Sequence, residues 1–159
     1  MMAHYGKFDG VNNYIALVRE KSKPDEALGY YGEQIVLKAQ ELGLNTCWVA
    51  MTHGKSKAQI DKGEKLVCLI SLGYGKTAGA AHKSKKLSEV CNYKKDMPEW
   101  FLSGMEAALL APTAMNRQKF YFELLPDNSI KITCGKGLYT KLDLGIVKYH
   151  FEVVSGKRI

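Results

Sequence analysis

The sequence predicts an α+β fold, a mixed β-sheet flanked by helices, in one domain spanning residues 1–159. Three observations carry that expectation. Apolar runs of strand length stand at Tyr14–Val18, Thr46–Met51 and Leu66–Leu72. Apolar residues recur at helical spacing over 28–42, 101–109 and 138–149. Phe120–Leu124 and Ile130–Ile132 alternate apolar with polar residues on either side of Pro126-Asp127-Asn128, the pattern of a β-hairpin. With 46% apolar residues, a chain of this size can bury one sizeable core.

Taken in order, Tyr14-Ile15-Ala16-Leu17-Val18 is continuously apolar, as in a central strand covered on both faces. Pro24, Asp25 and Glu26 start a helix whose apolar face is Leu28, Tyr31, Ile35, Ala39 and Leu42, and Gly43 stops it. The runs ending at Met51 and at Leu72 are two further buried strands, joined by a polar, lysine-rich connection with room for a short helix. Gly73, Gly75, Gly79 and the lysines after them mark a loop over 73–86. It is the internal boundary: about 1–82 closes a first half and about 83–159 forms a second. Asp96 and Glu99 stand at capping-box spacing with Pro98 in the first turn, and Phe101, Met105, Ala108 and Leu109 follow on one helical face. After the hairpin, Leu138, Leu142, Ile146 and Tyr149 trace a last helix that runs into the basic tail Lys157-Arg158.

Composition narrows the function classes. No apolar run approaches the roughly 20 residues of a membrane span, and Met1–Lys7 lacks an apolar leader core, so no membrane and a cytoplasmic location are expected. Cys47, Cys68, Cys91 and Cys134 form no C-x-x-C pair, and His4, His53, His82 and His150 no H-x-x-x-H pair; structural thiols and no metal are the expectation. The net charge of +7 raises a polyanion partner. The lysines are nonetheless spread along the chain, apart from Lys83, Lys85 and Lys86, and the aromatics fall in core-like runs, so nucleic acid is not expected. Gly75-Lys76-Thr77 is no P-loop, because the first glycine would fall at Ile70 inside a strand, and no G-x-G-x-x-G joins a strand to a helix.

The most informative stretch is Ala111-Pro112-Thr113-Ala114-Met115-Asn116-Arg117-Gln118. A proline after a helix, small residues, then two amides place backbone N–H groups and amide side chains on a tight turn open to an oxygen-rich ligand. This stretch resembles the A-P-S/T-x-x-N-x-Q-P-W-x-F turn of FMN-dependent nitroreductases, with Lys119-Phe120-Tyr121 in place of the usual P-W. Gly29–Gln34, followed by Ala39 through Val49, is similar to that family's core helix running into its G-L-x-T-C-W strand, and Val67–Tyr74 to its v-v-x-l-G-Y-P segment, with Gly75 at the proline. His82-Lys83-Ser84-Lys85 matches the family's K-x-R or K-x-K phosphate grip. Because the proline turn lies downstream on the same chain, the resemblance is to the single-chain nitroreductases in which two related halves imitate a dimer. Lys85–Val90 would then be a degenerate copy of the R-R-S-x-R segment that opens each half.

The resemblance implies an FMN site. Ala50 and Met51 would meet the flavin ring, Lys83 and Lys85 the phosphate, and Pro112, Thr113, Ala114, Asn116 and Gln118 the ring and ribityl side. The implied activity is NAD(P)H-driven reduction of small organic acceptors, with hydride chemistry on the flavin and no catalytic side chain. The family's first R-R-S-x-R segment has no counterpart before Tyr14, which implies a missing N-terminal part and self-association if that part is not supplied. Two rivals follow: a nitroreductase fold with weak or no flavin binding, and, from charge alone, a basic nucleic-acid-binding module.

Overall fold

A computed structural model of the chain describes residues 11–53 and 56–159; Met1–Lys7 and His4, read above for a leader and a metal pair, lie outside the described residues. Strand β1 (Asn13–Glu20) leads to helix α1 (Glu26–Glu41), followed by strands β2 (Asn45–Val49) and β3 (Glu64–Gly73). The chain continues through helix α2 (Glu99–Ala108), strands β4 (Phe120–Leu124) and β5 (Ile130–Cys134), and helix α3 (Thr140–Ser155).

The α+β class holds. The mixed sheet takes the form of two antiparallel sheets, β1-β3-β2 and β4-β5, and parallel pairing is confined to the bridge of Cys91 with Phe122 on β4. There the Phe122 N–H donates to the Val90 carbonyl at 2.8 Å, and Asn92 exchanges side-chain bonds with the Leu124 backbone.

Two expectations about position are corrected. The central strand is β3, and β1, expected to be central, is an edge, buried only at Leu17. An apolar run reports how much of a strand is covered by helices and neighbours; it does not report how many strands pair with it. The capping box does not form either: Pro98 precedes the first helical residue, Glu99, and supplies no side-chain cap. The connection between β2 and β3 contains no helix among its described residues. The α1 boundaries follow the sequence closely, with Asp25 before the first turn and Gly43 at φ +76° just past the last.

Helices α1 and α3 cross at close range, and paired glycines permit it. A Cβ on Gly29 would fall 1.9 Å from the Leu142 carbonyl oxygen, and one on Gly145 1.9 Å from that of Glu26. The crossing lets α3 lie between α1 and α2. One core cluster gathers Phe101, Met105, Phe122 and Phe151, a second gathers Leu17, Val67, Ile70 and Leu142, and Trp48 packs against both. Trp48 therefore links the two clusters.

Candidate functional site

A cavity of about 540 Å³ opens where the end of β2, the turn after α2 and the first turns of α3 converge. Trp48, Ala50 and Met51 form one wall, Pro112 to Met115 a second, and Leu142, Asp143 and Ile146 a third. Its size falls within the range of sites that enclose small ligands, and its lining is chiefly apolar with few polar groups, the usual composition of a cofactor or substrate pocket. Met51, 60% exposed, stands at the mouth.

The second wall is a strained turn. Met115, Asn116 and Gln118 adopt left-handed φ values of 55°, 51° and 45°, each costing free energy for a residue with a Cβ. Surrounding hydrogen bonds hold the turn in this shape. The Gln118 N–H donates to the Thr113 hydroxyl oxygen at 3.0 Å, and the Ala114 N–H donates to Asp143 Oδ1 at 2.9 Å across to α3.

The remaining bonds reach the segment His82–Lys85. The Gln118 amide, only 2% exposed, accepts the Lys85 N–H at 2.9 Å and donates to the Lys83 carbonyl at 2.8 Å and to Asn116 Oδ1 at 2.7 Å. Asn116 Nδ2 donates to that same carbonyl at 2.8 Å, and Lys85 Nζ to the Gln118 carbonyl at 3.0 Å. Upstream, the Ser84 hydroxyl donates to the Leu109 carbonyl at 3.1 Å and His82 Nε2 lies 3.2 Å from that of Leu110. Both carbonyls lie just past α2, at Leu109, its C-cap, and Leu110, where no further helical N–H reaches them. This network forms a polar clasp joining the 82–85 segment to the turn.

Three further groups stand near the cavity. Burial pushes the Asp143 carboxyl up to about 6, against which the single Ala114 N–H bond acts. Burial also raises the Cys47 thiol, so this cavity-lining cysteine carries little thiolate at neutral pH. Glu33, 1% exposed on α1, accepts the Trp48 indole N–H at 3.1 Å and lies 2.8 Å from His150 Nε2 on α3. That bond fixes the orientation of the Trp48 ring in the cavity wall.

The nine residues picked out by sequence thus divide. Ala50, Met51, Pro112, Thr113 and Ala114 line the cavity, whereas Lys83, Lys85, Asn116 and Gln118 lie in the clasp outside the lining. Sequence reasoning missed Asp143 and Glu33. Asp143 left a signal, since it stands beside the apolar stripe of Leu142 and Ile146. Glu33 left none, because the stripe read through Tyr31, Ile35 and Leu42 is exposed and Glu33 lies on the opposite, buried face with Gly29, Gly32 and Ala39.

The family model described as "Putative TM nitroreductase" matches residues 1–155. The crystal structure of a putative nitroreductase from Thermotoga maritima MSB8 superimposes with a TM-score of 0.72 at 24% identity, over 94% of this chain. The chain spans 66% of the length of that structure, a likeness that shows the shared fold. None of the curated proteins matches. Among the described residues no helix is long and apolar enough to cross a membrane.

Proposed function

Because the chain belongs to the "Putative TM nitroreductase" family, we propose that it is an FMN-dependent oxidoreductase that reduces small organic acceptors with NAD(P)H. The family and the fold support a nitroreductase-type function. The observation that carries the finer reading is the apolar cavity walled by Trp48, Ala50 and Met51 on one side and Pro112 to Ala114 on the other. It joins two sequence segments, far apart in the chain, that the nitroreductase resemblance assigns to one flavin ring.

The residues present suit that ligand. A flat aromatic ring gains from an apolar, water-poor cavity, and exposed Lys83 with half-buried Lys85 offers point charges suited to a phosphate. Lys85 Nζ spends one of its donors on Gln118, and an ammonium has three. Bound flavin would supply hydride transfer. The chain would exclude water through its apolar walls and hold the ring against Trp48, itself oriented by Glu33.

A second reading, a nitroreductase fold that binds flavin weakly, is favoured by one observation: the Asn116 and Gln118 amides bond to each other and to the 82–85 backbone. Titration with FMN and riboflavin, followed by the flavin spectrum, separates the two. The first reading expects FMN to bind and to be reduced by NADH or NADPH, and Lys83→Ala with Lys85→Ala to weaken FMN about tenfold, roughly 1.4 kcal/mol, while riboflavin changes little. Failure of both flavins to bind overturns it in favour of the second.

A further inference from the structure

The cavity is lined by one charged side chain among the described residues, Asp143, which is 7% exposed. Its neighbours along the wall, Leu142 and Ile146, are apolar, and the opposite walls present Trp48, Ala50 and Pro112. Among the described residues, the hydrogen-bond donor that reaches the carboxylate is the Ala114 N–H, at Oδ1. A carboxylate has two oxygens and about four lone-pair sites, so most of its acceptor capacity is left to whatever enters the cavity. A buried carboxylate with few donors is costly, and a ligand that brings an N–H or a positive charge relieves that cost. A ligand that brings a second carboxylate adds like-charge repulsion in a medium of low dielectric.

We infer that Asp143 is the specificity-determining residue of the cavity, admitting neutral or cationic aromatic ligands that carry an N–H donor and rejecting aromatic carboxylates. The inference rests on the reading of this cavity as the ligand site. It runs against the chain's overall charge, since a net charge of +7 favours anions elsewhere on the surface. A preference for the cation inside the cavity is therefore a local effect.

Calorimetric titration of the full chain, with no added NAD(P)H, compares 4-nitrobenzylamine with 4-nitrobenzoate, which share a ring and a nitro group and differ in charge. The wild-type chain should bind the amine at least tenfold more tightly. Asp143→Asn keeps an oxygen for the Ala114 N–H and should bring the two affinities within about threefold, a selectivity loss of roughly 0.7 kcal/mol or more. Asp143→Ser, shorter and uncharged, should move the ratio in the same direction. Equal binding of the two ligands by the wild-type chain, or a ratio that neither variant alters, overturns the inference and leaves the cavity reading intact. Failure of both ligands to bind, or affinities that Ala50→Trp leaves unchanged, overturns the inference, whereas the flavin reading of the cavity fails separately, if neither FMN nor riboflavin binds.

Discussion

The cavity and the clasp share the turn at 112–118 but spend their polar groups in opposite ways. In the clasp, the Gln118 side chain makes three hydrogen bonds and Asn116 two, all to protein partners. In the cavity, Asp143 accepts one bond among the described residues, and the walls are otherwise mostly apolar. A group whose hydrogen bonds are satisfied internally contributes to stability, whereas one with spare capacity is available to a ligand. Residues at neighbouring positions of one motif can therefore have different tasks, and the partners of their atoms distinguish those tasks.

The sharpest way to break this comparison is to disturb what lies beneath the cavity alone. Gly145 sits on α3 between Asp143 and Ile146, and its approach to the Glu26 carbonyl leaves no room for a methyl group. A backbone neighbour cannot rotate away, so Gly145→Ala should cost about 3 kcal/mol, the upper part of the range for overpacking. Urea unfolding measures it. A loss below about 1 kcal/mol would mean that α3 shifts easily and that the cavity wall is not fixed by this crossing.

The next largest effect belongs to the clasp. Gln118→Ala leaves the Lys85 N–H without its acceptor in a buried place and removes two donated bonds, an expected loss of about 2 kcal/mol. Met51→Ala, at the exposed mouth of the cavity, should stay within about 0.5 kcal/mol of wild type. Thermal melts of the two variants side by side test the division. Similar losses for both would erase it.

Asp143 supplies a pH-dependent test. Its folded pKa of about 6 lies above the ordinary aspartate value of 3.8, so between these values the folded chain holds a proton that the unfolded chain has released. Stability then falls as pH rises through that window, and the full penalty stands above about 6. The shift corresponds to about 3 kcal/mol at most, and solvent reaching the cavity-facing side would reduce it to about 1–2 kcal/mol. Asp143→Asn removes the charge and should stabilise the chain by about that amount at pH 7.5, with a much smaller gain at pH 4.5. A gain independent of pH would show that charge burial is not the cause. A residue whose removal stabilises the fold is retained for another reason, and ligand selection is such a reason.

Much of this architecture was legible in the sequence because local chemistry sets it. The stop of α1 at Gly43, the hairpin around Pro126–Asn128 and the loop over 73–86 follow from turn residues and alternation. The face read for α1 does not hold: Tyr31, Ile35 and Leu42 are exposed, and its buried residues are Gly29, Gly32, Glu33 and Ala39, because Gly29 lets α3 and Gly32 lets Trp48 pack there. Sheet order was not legible: β1 and β3 are both apolar runs, and their pairing depends on contacts between distant segments. In the site, resemblance brought Ala50 and Met51 to the same place as Pro112–Ala114, which the cavity shares. It gave no information about which atoms already had partners, since the Gln118–Lys85 and Asn116–Lys83 bonds span more than thirty residues. Asp143 was missed for a related reason. An acidic residue beside an apolar stripe reads as a solvated edge until the turn that covers it is in place.

Asn116 is the finest test of the boundary between the two regions. It is exposed, it holds φ 51°, and its amide donates to the Lys83 carbonyl at 2.8 Å while accepting from Gln118 Nε2 at 2.7 Å. Asparagine tolerates this backbone region better than alanine does, which there costs about 1 kcal/mol. Exposed hydrogen bonds add little beyond that, because water replaces them. As a member of the clasp, Asn116→Ala should lower stability by about 1 kcal/mol and leave activity per bound flavin unchanged, and Asn116→Gly should recover most of the loss by accepting the positive φ. As a flavin contact, the same alanine variant would lower FMN occupancy with the melting temperature nearly constant, and glycine would recover nothing. Melting curves and flavin spectra of the two variants give opposite patterns under these two roles. The second pattern would move the boundary of the cavity one turn further, to include Asn116.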